Sequence, residues 1–161
     1  MKIEPNTLSL LILICSSVFV FAWYLDSLTH ANIAKKDILD AELYTHRILI
    51  LSSGLLQGCL LLFYWFDYEV LPFFIALFIT RTIHEIIDEV KYHQARCTFR
   101  ETLLHFVMWL SILSQVGFLF YWGFFFHYTG LSELPVAYFT WGTILVLLMA
   151  LISWKEWFLA L

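Results

Sequence analysis

Hydrophobic residues along this chain fall into five long blocks separated by short polar connections. The blocks lie near Leu8–Leu25, Tyr44–Phe66, Val70–Tyr92, Thr102–Phe126 and Val136–Phe158. Each is close to the roughly 20 helical residues that cross a hydrocarbon core of about 30 Å. Barrel strands would show short alternating segments instead, and none is present in the sequence. The pattern predicts an all-α integral membrane protein, a compact bundle of about five transmembrane helices forming a single domain over residues 1–161. The first block follows a barely basic MKIEPNT and ends in AWYLD without a small-x-small cleavage site, so it reads as a retained helix.

The third block breaks its own pattern. Val70–Thr80 reads VLPFFIALFIT, but the second half reads RTIHEIIDEVKYH. Ionisable groups at such positions cost several kcal/mol unless paired or hydrated, which marks them as functional candidates. Helical spacing places Arg81, His84, Glu85 and Asp88 on one stripe, with Tyr92 at its end. Glu89 and His93 flank the stripe, and Ile83, Ile87 and Val90 lie opposite. Arg81 can pair with Glu85 one turn away or with Asp88 two turns away. One cation does not balance all these acids, and that excess calls for a bound cation or a proton.

Two further helices bring similar groups to the same level. Glu42 and His46, Glu89 and His93, and Glu101 and His105 are all Glu-x-x-x-His pairs. Helix 2 continues its stripe with Ser53 and Gln57, and helix 4 continues loosely with Met108 and Gln115. Carboxylates and imidazoles gathered inside a bundle are the ligand set of iron, manganese or zinc. His46, His84, Glu85, Asp88, Glu89, His93, Glu101 and His105 are the ligand candidates. Glu85 or Glu89 would serve as general base, and Arg81 would position an anionic group. The i, i+4 spacing differs from the Glu-x-x-His of di-iron bundles, and neither HExxH nor a histidine box occurs.

These residues support four readings. The first is a metal-dependent membrane enzyme, redox or hydrolytic, acting on a lipid or other apolar substrate. The second is a haem-binding electron carrier using two of His46, His84 and His105, although the surrounding acids sit awkwardly beside a haem. The third is a proton- or cation-translocating protein, or a coupling subunit of a membrane complex. Against it, the outer halves of helices 2 and 3 are almost wholly apolar, so they show no complete polar path. The fourth is a non-catalytic assembly subunit whose ion pairs fix helix register. Some residues have plainer roles. Glu101 completes a capping box with Thr98, Asp37, Asp40 and Glu42 suit the start of helix 2, and His30 and His127 read as interfacial loop residues.

Composition agrees with a membrane setting: 61% of residues are hydrophobic and only 14% charged, against roughly a quarter charged in soluble proteins. A net charge of −4 without a basic patch gives no footprint for nucleic acid. Cys15, Cys59 and Cys97 show no paired spacing. Lys35, Lys36, Arg96 and Arg100 lie in the connections after helices 1 and 3. The connections 67–69 and 127–134 carry no Lys or Arg, which predicts an outside N-terminus and a cytoplasmic C-terminus. Gly130 reads as a helix C-cap and Ser132 as an N-cap before Pro135. Gly54 and Gly58 form a small-xxx-small motif that hints at close helix packing. Membrane lipid, a second copy and a larger complex are the partners this pattern suggests.

Overall fold

The computed structural model describes residues 4–33, 40–93, 98–128, 130 and 133–159; Asp37, Cys97 and Ser132 lie outside them, as do the side chains of His30 and His93. Among the described residues the chain is helical without strands. Five helices follow in order: α1 (Pro5–Ile33), α2 (Asp40–Phe66), α3 (Leu71–Ile87), α4 (Phe99–Phe126) and α5 (Val136–Leu159). Pro5–Thr29, Phe99–Phe126 and Val136–Phe158 are each long and apolar enough to cross a membrane. Helix α3 has 17 residues, about 25 Å of α-helix, and then continues into a π-helical turn, Asp88–His93.

Local chemistry sets the helix ends. A 3-10 turn, Asp67–Val70, leads into α3, whose first turn holds Pro72, where the missing N–H leaves no bond unmade. Helix α4 starts with the expected capping box. The Thr98 hydroxyl accepts from the Glu101 N–H, and the Glu101 carboxylate accepts from the Thr98 N–H at 2.6 Å. At its other end the sequence expectation needs correcting. His127, not Gly130, is the C-cap, in the left-handed region at φ 48°, followed by Tyr128 at φ 55° and Gly130 at φ 80°. The turn folds the Tyr128 ring back over the helix, so that a Cβ at Gly123 would stand 2.5 Å from its hydroxyl. Burial pushes that phenol above its ordinary pKa of 10. His30 also departs from expectation, since α1 runs helical through it.

Helix α1 packs against α4 and α5, and α2 packs against α3 and α5. The core between them holds Leu8, Phe19, Leu56, Phe74, Ile112 and Met149. Outward faces are apolar instead of charged: Leu51, Leu55, Ile83, Ile86, Leu147 and Leu151 are each at least half exposed. Arg81, Asp88, Gln57 and Gln115 are all buried. An apolar belt over a polar interior is the arrangement a hydrocarbon solvent favours. Gly54 and Gly58 do not bring helices close, because an added Cβ at either would meet open space.

One buried polar layer ties three helices together. The Ser16 hydroxyl of α1 donates to Gln57 Oε1 of α2 at 3.0 Å, and Gln57 Nε2 donates to Gln115 Oε1 of α4 at 2.8 Å. Interhelical bonds of this kind contribute about 0.6–2 kcal/mol each in membrane proteins. Gln115→Leu is expected to destabilise the bundle by about 1–2 kcal/mol in a detergent unfolding titration. Gln57→Leu combined with it should cost less than the sum of the single changes, because neither amide is then left alone. Thr98→Ala should cost about 1 kcal/mol in the same titration through loss of the α4 cap.

Candidate functional site

The ionisable side chains gather at one end of the bundle, where α1 and α5 finish and α2 and α4 begin. They surround a cavity of about 60 Å³, room for a few waters. Arg81 of α3 is only 3% exposed. A guanidinium stays charged in any protein environment, so its burial demands partners on every side. Glu85, one turn along, takes a two-pronged grip on it, with Nη2 donating to Oε1 at 2.8 Å and Nη1 paired to Oε2. Nε donates to the Ser53 hydroxyl of α2 at 3.0 Å, and the cation lies 5.5 Å from the centre of the Phe19 ring of α1.

His105 of α4 sits between two acids from other elements. Its Nε2 is 3.3 Å from Asp26 Oδ1 of α1, and its Nδ1 meets Glu89 Oε1. An imidazole facing two carboxylates satisfies both when it carries both protons. Glu89 lies one turn beyond Glu85, at the start of the π-helical turn Asp88–His93. A second group lies nearby, where Glu156 of α5 accepts from Trp23 Nε1 at 3.2 Å and stands 3.6 Å from His46 Nε2.

Of the residues singled out from sequence, Arg81, Glu85, Asp88, Glu89, His46 and His105 all line the cavity. His84 does not; its Nδ1 lies 2.9 Å from the Thr80 carbonyl oxygen on its own helix. Glu101 is buried in the capping box, where it also accepts from the Thr98 hydroxyl at 2.9 Å. Glu101 and His105 do not act as a pair: Glu101 stays in the cap, and His105 turns to Asp26 and Glu89, while His46 stands near Glu156. Asp26 and Glu156 were missed. Their signal was present in α1, where Asp26 is an acid in an otherwise apolar run.

The cavity is rich in acid. Asp26, Glu85, Asp88 and Glu89 line it against Arg81 and the imidazolium of His105. Among the described residues no three His, Cys, Asp or Glu side chains are placed to share one metal ion. Both nitrogens of His105 face carboxylates. The arrangement gathers carboxylates and an imidazole, groups able to take up and release protons, beside a fixed positive charge.

The polar groups also continue further into the bundle than α2 and α3 alone predict. Gln57 is one turn above Ser53, and Ser16 of α1 and Gln115 of α4 complete the layer there. By helix rise this layer lies roughly 15 Å from the Asp26–His105 pair. A second cavity of about 60 Å³ opens on its far side, lined in part by Ser9, Gln57, Tyr128 and Tyr138. Polar groups that no single helix supplies are thus contributed at this depth by α1, α2 and α4 together. Compared with protein-family profiles, curated proteins and solved structures, the chain has no match.

Proposed function

We propose that this chain is a five-span, proton-coupled membrane protein, acting alone or as a coupling subunit, with its acid cluster at the cytoplasmic end. The observation that carries the reading is the sequence of acids and imidazole from Asp26, His105 and Glu89 to the Glu85–Arg81 pair, with buried polar groups beyond it at Ser53 and in the Gln57–Gln115–Ser16 layer. Such carboxylate–histidine chains are the proton relays of membrane helices. In the simplest sequence, the His105 imidazolium gives its Nδ1 proton to Glu89, leaving a neutral ring and a carboxylic acid. The proton passes through the cavity to Glu85, and His105 is recharged from the aqueous end.

Protonating Glu85 removes the charge that neutralises Arg81. The guanidinium is then a buried cation without its counter-ion, a state that costs several kcal/mol and drives a rearrangement. A fixed arginine also repels a passing proton or metal cation, which favours coupling over open conduction. Placing the cluster in the cytoplasmic leaflet follows the charge of the sequence, because Arg100 of α4 and Lys155 of α5 stand at that end and Lys35, Lys36 and Arg96 fall in the connections after α1 and α3.

Single cysteines test the orientation. In intact cells Glu4→Cys and Glu133→Cys should react with a membrane-impermeant maleimide, and Lys155→Cys should react only after permeabilisation. Reversed labelling would put the cluster on the outer side. The proton reading is tested in liposomes carrying an internal pH dye and an imposed potential. Proton uptake should fall about 100-fold in Glu85→Gln and Glu89→Gln. His84→Ala, outside the cavity, should change it little. Uptake no faster than in protein-free liposomes, together with stoichiometric iron, manganese or zinc that is lost in His105→Ala, would replace this reading with metal chemistry.

A further inference from the structure

On the outer surface of the bundle, α2 and α5 diverge to leave an apolar groove of about 410 Å³. Its floor is built from small residues, Gly54, Ala150 and Ser153, and its walls include Leu51, Leu55 and Phe158. The space at Gly54 is open, so this glycine makes room in the groove instead of a helix contact. A pocket of this size and polarity accommodates an apolar ligand with a few polar anchors. One such anchor stands at the end nearest the acid cluster.

That anchor is Arg47. Its guanidinium carbon lies 5.0 Å from the ring centre of Trp157, which itself lines the groove. Positions 47, 51, 54 and 55 share one face of α2, so the cation continues the groove's lining by one turn. Arg47 Nε is buried without a hydrogen-bond partner, and among the described residues no acid pairs with it. Arg81, by contrast, is gripped by Glu85. An arginine braced on an aromatic face, with its donors uncommitted, is suited to a phosphate. Lys155 is exposed on α5 at the same level and adds positive charge nearby.

We infer that the α2–α5 groove is a binding site for an anionic phospholipid. One acyl chain lies over Gly54, Ala150 and Ser153, and the headgroup phosphate meets Arg47. Basic pockets between helices at the cytoplasmic face recognise anionic headgroups in this way. The inference rests on the chain spanning a bilayer, but not on the proton path.

The test is native mass spectrometry of the detergent-purified full chain, titrated with phosphatidylglycerol or phosphatidylcholine. Wild type should hold one phosphatidylglycerol at least about five-fold more tightly than phosphatidylcholine. Arg47→Gln should abolish that preference while leaving weak binding of both lipids. Gly54→Leu, which fills the groove and is favourable in a helix, should weaken both. Equal retention of the two lipids by wild type, or a preference unchanged in both variants, overturns the site. So does a Ser153→Cys chain that cross-links quantitatively to a second copy across this face, since the groove would then be a protein interface. Carbonate extraction separates the two levels of failure. A chain released from membranes defeats the bilayer placement itself, whereas a chain retained in membranes without lipid preference defeats only the groove.

Discussion

Everything around the cavity is arranged by the need to bury one charge that cannot be neutralised. Arg81 sits inside a helix bundle at 3% exposure, and its guanidinium holds its proton in any protein environment. The fold answers with a carboxylate fork from the same helix, a hydroxyl from α2 and an aromatic face from α1. Each answer fixes a distance between helices. Ser53 sets how closely α2 approaches α3, and Phe19 sets how far α1 reaches across. Loss of Glu85's charge would therefore disturb three helices together, which makes the pair a point of control as well as a structural tie.

The same logic runs through the pairs that cross between helices in the cluster. His105 takes its partners from α1 and the π-turn, and His46 takes Glu156 from α5. In a hydrocarbon surrounding, ionic partners on different helices supply part of the association that hydrophobic burial supplies in water. Here the cross-helix pairs lie at one end of the bundle and the amide layer lies further in, so two levels of polar contact hold helices whose outer surfaces suit lipid.

Much of this was legible in the sequence. The helix ends followed from Pro72 and from the Thr98–Glu101 capping box, both local chemistry. The polar stripe on α3 followed from helical spacing, and Arg81, Glu85 and Asp88 all face inward. What spacing does not show is which helices neighbour one another. Asp26 and Glu156 become partners of histidines only because α1 packs against α4 and α5, and α2 against α5. The π-turn Asp88–His93 has no sequence signature either. The Glu101–His105 repeat misled for the opposite reason, being regular in sequence while Glu101 caps α4 and His105 turns to Asp26 and Glu89. Likewise, the apolar outer halves of α2 and α3 gave no sign of the buried amide layer, which Ser16 and Gln115 complete from α1 and α4.

The pairing of the first helix with the last two has a consequence for how the protein is made. Trp23 bonds to Glu156, 133 residues further along the chain, and Asp26 meets His105 on α4. At roughly 5–20 residues per second, the ribosome delivers Glu156 many seconds after α1 has emerged. Until α4 emerges Asp26 lacks His105, and until α5 emerges Trp23 lacks Glu156. The first helix synthesised thus completes its contacts only when the last one arrives.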